Sequence, residues 1–106
     1  VSDLGDMIRT MVCSHDENEP DCKKLQLLPS FYEAVVDGYC AAIMLTEKEK
    51  SQIPMAGLYM TYMQALRFAT DYLQGDTYYA ISYKEHNLDR LKNQCVLLEL
   101  LENYLG

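Results

Sequence analysis

The stretch Arg67 to Gln94, RFATDYLQGDTYYAISYKEHNLDRLKNQ, joins the end of one long amphipathic pattern to the start of another. The joining segment is dense in Tyr, Asp, His and Asn, a mixture that a plain helix-to-helix connector does not require, so part of any polar site is expected here. Upstream, Pro54 to Leu73 reads as a long helix with Leu58, Tyr62, Leu66, Ala69 and Leu73 on one buried stripe and Met55, Tyr59, Met63 and Tyr72 beside it. Pro54 fits the first helical turn, where its missing amide hydrogen costs nothing, and Gly75 supplies the stop. Downstream, Asn87 is placed to cap a final helix whose stripe is Leu88, Leu91, Cys95, Leu98 and Leu101 or Leu105. Val96, Leu97 and Leu100 widen that apolar face enough for contact on two sides. Residues 76 to 86 alternate too briefly for a strand and are expected to form an ordered loop.

Working outward, Ser2 or Asp3 is expected to cap a short first helix, DLGDMIRTMV, that ends near Cys13. SHDENEPDCKK, residues 14 to 24, is acidic and without period, which reads as a solvated loop. Metal binding through Cys13, His15, Asp16, Asp21 and Cys22 is the sharper alternative, but their spacing matches no usual Cys or His pattern, and no metal site is expected. Ser30 with Glu33 has the form of a capping box opening a second helix, with Phe31, Val35, Tyr39 and Ala42 on its buried face and Tyr32, Val36, Ile43 and Met44 flanking. Gly38 weakens that helix and is expected where a neighbour approaches closely. Thr46 with Glu49 repeats the box and opens a short turn, EKEKSQI. The sum is an all-α chain, an irregular bundle of about four helices with the last two long, forming one domain over residues 1 to 106.

With 49% hydrophobic residues the chain can bury a core. A formal charge of -7 argues against a surface for nucleic acid or anionic lipid, both of which recruit Lys and Arg. No apolar run approaches the roughly 18 residues that cross a bilayer, and no charged-then-apolar leader is visible, so a cytoplasmic location is expected. Cys13, Cys22, Cys40 and Cys95 are scattered and read as free thiols, with a Cys13 to Cys22 bridge the lesser alternative. The chain opens on Val1 and runs at once into an apolar segment, which reads as an interior stretch of a longer protein.

The five glycines form neither G-x-G-x-x-G nor a P-loop, and there is no G-x-S-x-G, H-E-x-x-H or C-x-x-C. A Cys/His nucleophile pair drawn from the cysteines with His15 or His86 lacks assignable partners. Arg67 and Asp71, four apart on one helix, form either a surface ion pair or, in the sharper reading, part of a cleft where the Arg67 guanidinium donates to a polar ligand near Asp76, Tyr78 and Tyr79. His86 and Asn87 read as capping and loop-fixing groups.

Two segments together carry a family resemblance. DLGDMIR, Asp3 to Arg9, resembles the D-[FLY]-[GA]-D-x-x-R segment that follows the metal-binding aspartate in the superfamily of aminoglycoside phosphotransferases. RFATDYLQGDTYY, Arg67 to Tyr79, followed by EHNLDRLKNQ, Glu85 to Gln94, resembles the C-terminal signature of its N-acetylhexosamine 1-kinase branch. The resemblance implies the C-terminal helical subdomain of a kinase-like C-lobe, with Arg67 and Tyr78 as sugar-binding groups. It makes Asp3 a residue that braces the catalytic loop, and Asp6, Arg9, Asp76, His86 and Asn87 structural or pocket-rim residues. ATP and magnesium are implied for the family as a whole, whereas this chain lacks the catalytic and metal-binding aspartates and the nucleotide lobe, so no cofactor and no turnover are expected of it alone.

Two functions follow as expectations. One is the sugar-acceptor side of an ATP-dependent kinase, with the remainder of the kinase fold as partner. The other is a free-standing helical module that self-associates. Both expect an exposed apolar face.

Overall fold

The computed structural model describes residues 2 to 106. Five helices follow in order: α1 (Ser2–Met11), α2 (Pro29–Ala42), α3 (Glu47–Ser51), α4 (Ile53–Leu73) and α5 (His86–Leu105), with a short 3-10 turn at Cys22–Lys24. Among the described residues the only strand-like pairing is an isolated bridge between Cys13 and Leu27. The fold is the expected all-α bundle, with α3 the short turn read from Thr46 and Glu49. Both halves of that capping box form: the Glu49 amide donates to Thr46 Oγ1 at 3.1 Å and the Thr46 amide to Glu49 Oε1 at 3.0 Å.

Helix α4 is central, with α1 and α5 packed against it and α2 held mainly by α1. The core gathers Leu4 and Ile8 of α1 with Val12 just beyond it, Tyr32 of α2, Ile53 of α4, and Leu97 and Leu101 of α5. Extents of 44 × 25 × 22 Å make the bundle elongated. Among the described residues no helix is long and apolar enough to cross a membrane.

The two long helices turn different faces inward from those expected. On α4 the buried positions are Ile53, Gly57, Thr61, Ala65, Phe68 and Asp71, while Tyr62, Leu66 and Leu73 of the expected stripe are exposed. The reason is the close crossing of α1. A Cβ on Gly5 would stand 2.5 Å from the Ala56 carbonyl oxygen, and one on Gly57 would meet Ile8 Cγ2 at 3.0 Å. Only small residues at the crossing permit that approach, so Tyr62, Leu66 and Leu73 face outward. On α5 the buried stripe is His86, Asn87, Asn93, Gln94, Leu97 and Leu101, and Cys95 of the expected stripe is exposed. Its first half is polar because those side chains tie down two loops, and only Leu101 is common to both stripes.

Smaller corrections have local causes. Helix α2 starts at Pro29 behind Leu28 with no side-chain cap, so the Ser30 box does not open it. Proline pre-sets the first turn, and the Leu28 amide is already spent on the Val12 carbonyl at 2.8 Å. Phe31 and Ala42 are exposed where they were expected inside, and Tyr32 is buried instead. Gly38 faces open space, so no close neighbour accounts for it. Helix α1 already runs at Ser2, so Ser2 and Asp3 lie in its first turn instead of capping it. All four cysteines are free thiols.

Candidate functional site

Helix α4 ends in a Schellman motif. The Asp76 amide donates to the Asp71 carbonyl at 2.8 Å and the Gly75 amide to the Tyr72 carbonyl at 3.3 Å. Gly75 has φ +91° and Asp76 φ +61°, so the chain reverses through two left-handed residues. The reversal sends residues 77 to 85 back across the end of α4 as the ordered loop expected from the sequence.

Asp71 organises that loop. It is 3% exposed, and its carboxylate accepts the Tyr78 amide at 2.7 Å, the Tyr79 amide at 3.0 Å and Asn87 Nδ2 at 2.7 Å. Burial acts to raise its pKa, but these bonds, with the Thr77 amide, outweigh it and hold the carboxyl below the ordinary value. Successive amides aimed at one carboxylate make a small anion nest. The surface ion pair with Arg67 therefore does not form. Arg67 is in none of the ion pairs among the described residues, which are Arg9 with Asp6 and Glu17, Lys24 with Glu19, and Lys50 with Glu47.

Arg67 instead lines a cleft of about 550 Å³ together with Leu66, Thr70, Asp71, Gln74, Tyr78 and Tyr79. That volume falls in the range of small-molecule sites. The Tyr78 ring is 81% exposed and meets Tyr79 edge to face at 4.8 Å between centroids. Tyr79 is fixed from behind, 5.0 Å from the Phe68 ring and with its hydroxyl accepting from Gln64 Nε2 at 3.1 Å. The Arg90 guanidinium lies over the Phe68 ring, 5.7 Å from its centroid. The cleft so offers an unpaired guanidinium and an exposed phenol on an anchored wall.

The remaining expected site residues hold the fold. Asn87 is fully buried inside α5 and is not its cap, which falls on Glu85. Its Nδ2 also reaches Asp76 Oδ1 at 3.0 Å, and its Oδ1 accepts from Arg90 at 2.9 Å. His86 bridges Ser82 and Asn18. At the other end of the network Arg9 pairs with Asp6 at 2.9 Å and donates to Gln94 Oε1 at 3.3 Å, and Asp3 accepts from the Tyr39 hydroxyl at 3.0 Å. Asp3, Asp6 and Arg9 do not line the cleft.

Sequence reasoning missed Asn18, Asn93 and Arg90 as fixing groups. Asn93 donates to the Asp16 and Glu19 carbonyls at 2.9 and 3.1 Å, so the acidic 14 to 24 loop is strapped to α5 instead of being merely solvated. The available signal was Asn93 and Gln94 adjoining in the middle of an amphipathic helix. Among the described residues no three His, Cys, Asp or Glu side chains converge as metal ligands, which leaves the metal reading of that loop without geometry. No protein-family model matches the chain.

Proposed function

We propose that the chain is the acceptor-side helical part of an ATP-dependent phosphotransferase acting on a sugar of the N-acetylhexosamine kind. The observation that carries this reading is the convergence of Arg67 and Tyr78 on one cleft. A guanidinium fork donates to hydroxyl or N-acetyl oxygens, and an exposed phenol ring offers a sugar both an apolar face and a hydroxyl. The order of the DLGDMIR and RFATDYLQGDTYY segments supports the same reading through their resemblance to the kinase branch.

ATP and magnesium belong to the family reaction, but the residues here do not fit them. The 106 residues contain no phosphate-cradling glycine loop, and the described residues gather no carboxylate cluster for a metal. Acceptor recognition without turnover is therefore the expected behaviour of this chain alone. Titrating the purified chain with N-acetylglucosamine and N-acetylgalactosamine should perturb the NMR signals of Arg67 Nε and the Tyr78 and Tyr79 amides, and Arg67→Ala should abolish the effect. No perturbation at the cleft with either sugar removes the acceptor reading, and ATP turnover by the pure chain removes the division of labour.

The outward face of α4 favours a second reading, a free-standing module that dimerises. Met55, Tyr59, Tyr62, Leu66 and Leu73 are all exposed and recur at spacings of three, four and seven. The same surface would meet the remainder of a kinase fold in the first reading.

A further inference from the structure

His86 begins α5 and is 7% exposed, yet it has hydrogen-bond partners on both ring nitrogens. The Ser82 amide lies 3.1 Å from Nδ1, and Asn18 Oδ1 lies 2.9 Å from Nε2. A backbone amide can only donate, so Nδ1 must be an unprotonated acceptor and the ring proton sits on Nε2. The far side agrees: Asn18 Oδ1 also accepts from Arg90 Nε at 3.0 Å, which identifies that atom as the acceptor that an Nε2 proton requires. The imidazole is thus neutral and joins two loops that nothing in sequence connects.

We infer that His86 is an acid-operated clasp: a proton taken up at Nδ1 removes the acceptor of the Ser82 amide and releases the Ser82 and Tyr83 end of the segment whose other end forms the Tyr78 and Tyr79 wall of the cleft. With two N–H groups then facing each other, the bond becomes a repulsion inside a buried contact. The Tyr83 ring, stacked on His86 at 4.7 Å between centroids, leaves with the same segment. The loop's other anchors keep their bonds in this range, the Asp71 carboxylate on the Tyr78 and Tyr79 amides and Arg90 Nη1 on the Ala80 carbonyl at 3.0 Å, so the release is confined to the α5 end of the segment.

The charged groups around the ring come from two elements, α5 and the 14 to 24 loop. Arg90 of α5 opposes protonation. Asp89 of α5 and Glu17 of the 14 to 24 loop favour it, although Asp89 is engaged by the Tyr83 hydroxyl at 2.7 Å. Burial and then Arg90 prevail, and the imidazole is held below its ordinary value of 6.5. The sign follows: the clasp's stabilisation is fully present above the unfolded value of 6.5 and is lost as pH falls through the lower folded value.

The clasp stands whether or not the cleft takes a sugar, because its test reads loop order and not ligand binding. Imidazole nitrogen shifts and amide exchange would be followed from about pH 7.5 to about pH 5 in the wild type and in His15→Gln, which leaves one imidazole. Expected are an Nε2–H tautomer at neutral pH, a titration below 6.5, and loss of Ser82 amide protection, corrected for intrinsic exchange, over the same interval while the core amides of α4 stay protected. An Nδ1–H tautomer, a titration at or above 6.5, or unchanged Ser82 protection overturns the clasp. His86→Gln should abolish the pH step, and a step that persists in that variant also overturns it; the wild-type titration decides alone if the variant does not fold.

Discussion

Asn87, in the first turn of α5, donates to Asp71 Oδ2 in the last turn of α4 across 2.7 Å, and both side chains are buried. This contact ties the two long helices together at the point where the intervening segment leaves and returns. Asn87→Ala strands a buried acceptor on Asp71, a half-buried one on Asp76 and the Arg90 donor, and should cost about 1–3 kcal/mol in urea unfolding. Stability unchanged from the wild type would mean that the contact does not hold the helices.

The same carboxylate sets an acid limit. Asp71 is held below its ordinary 3.8, so its contribution is present above that value and lost as pH falls through the lower folded one. Asp71→Asn should lower the urea midpoint at neutral pH and flatten its fall in acid, since the variant has no proton to take up there. Identical acid slopes for the two proteins would dismiss Asp71 as a source of that limit.

Two glycine substitutions should act in opposite directions. Gly5→Ala drives a methyl against the Ala56 carbonyl of the facing backbone and should destabilise by about 1–3 kcal/mol as the α1 and α4 crossing is forced apart. Gly38→Ala meets open space inside α2 and should stabilise by about 0.5–1 kcal/mol through the backbone freedom it removes from the unfolded chain. Thermal melts of the two variants read the contrast directly.

The sequence made the all-α class and the limits of α4 legible because Pro54 and Gly75 punctuate a long apolar period. It did not reveal which side of α4 faces inward. Bulk hydrophobicity points to Leu58, Tyr62, Leu66 and Leu73, whereas a close helix crossing selects Gly57, Thr61 and Ala65 for being small. The first half of α5 escaped for a related reason: Asn87, Asn93 and Gln94 are buried because loops bond to them, and apolar periodicity is blind to satisfied polar groups. At the cleft, Arg67 and Tyr78 could be named from residue type and position. Asp71 was visible only as a possible ion-pair partner, because its true partners are backbone amides several residues on.

The register of α5 can be tested side chain by side chain. Leu97 and Leu101 are buried, and Leu101→Ala should cost about 2–5 kcal/mol by leaving a cavity. Cys95→Ser, at an exposed position, should stay within about 0.5 kcal/mol of the wild type. A large effect at Cys95 with a small one at Leu101 would restore the stripe first read from the sequence.

The outward face of α4 carries the last prediction. Met55, Tyr59, Tyr62, Leu66 and Leu73 expose a continuous apolar stripe on a chain whose net charge of -7 otherwise favours solubility. That stripe lies opposite the residues that meet α1, so covering it requires no rearrangement of the bundle. Water is a poor neighbour for so many large apolar side chains, and the isolated chain should self-associate through them as concentration rises. Tyr59→Glu with Tyr62→Glu should give a sedimentation coefficient independent of concentration while leaving the helix content and the melting temperature near those of the wild type, since neither ring belongs to the core. A wild type that stays monomeric at every concentration would count against both the dimerising module and the unmet kinase surface, because each requires this face to be covered.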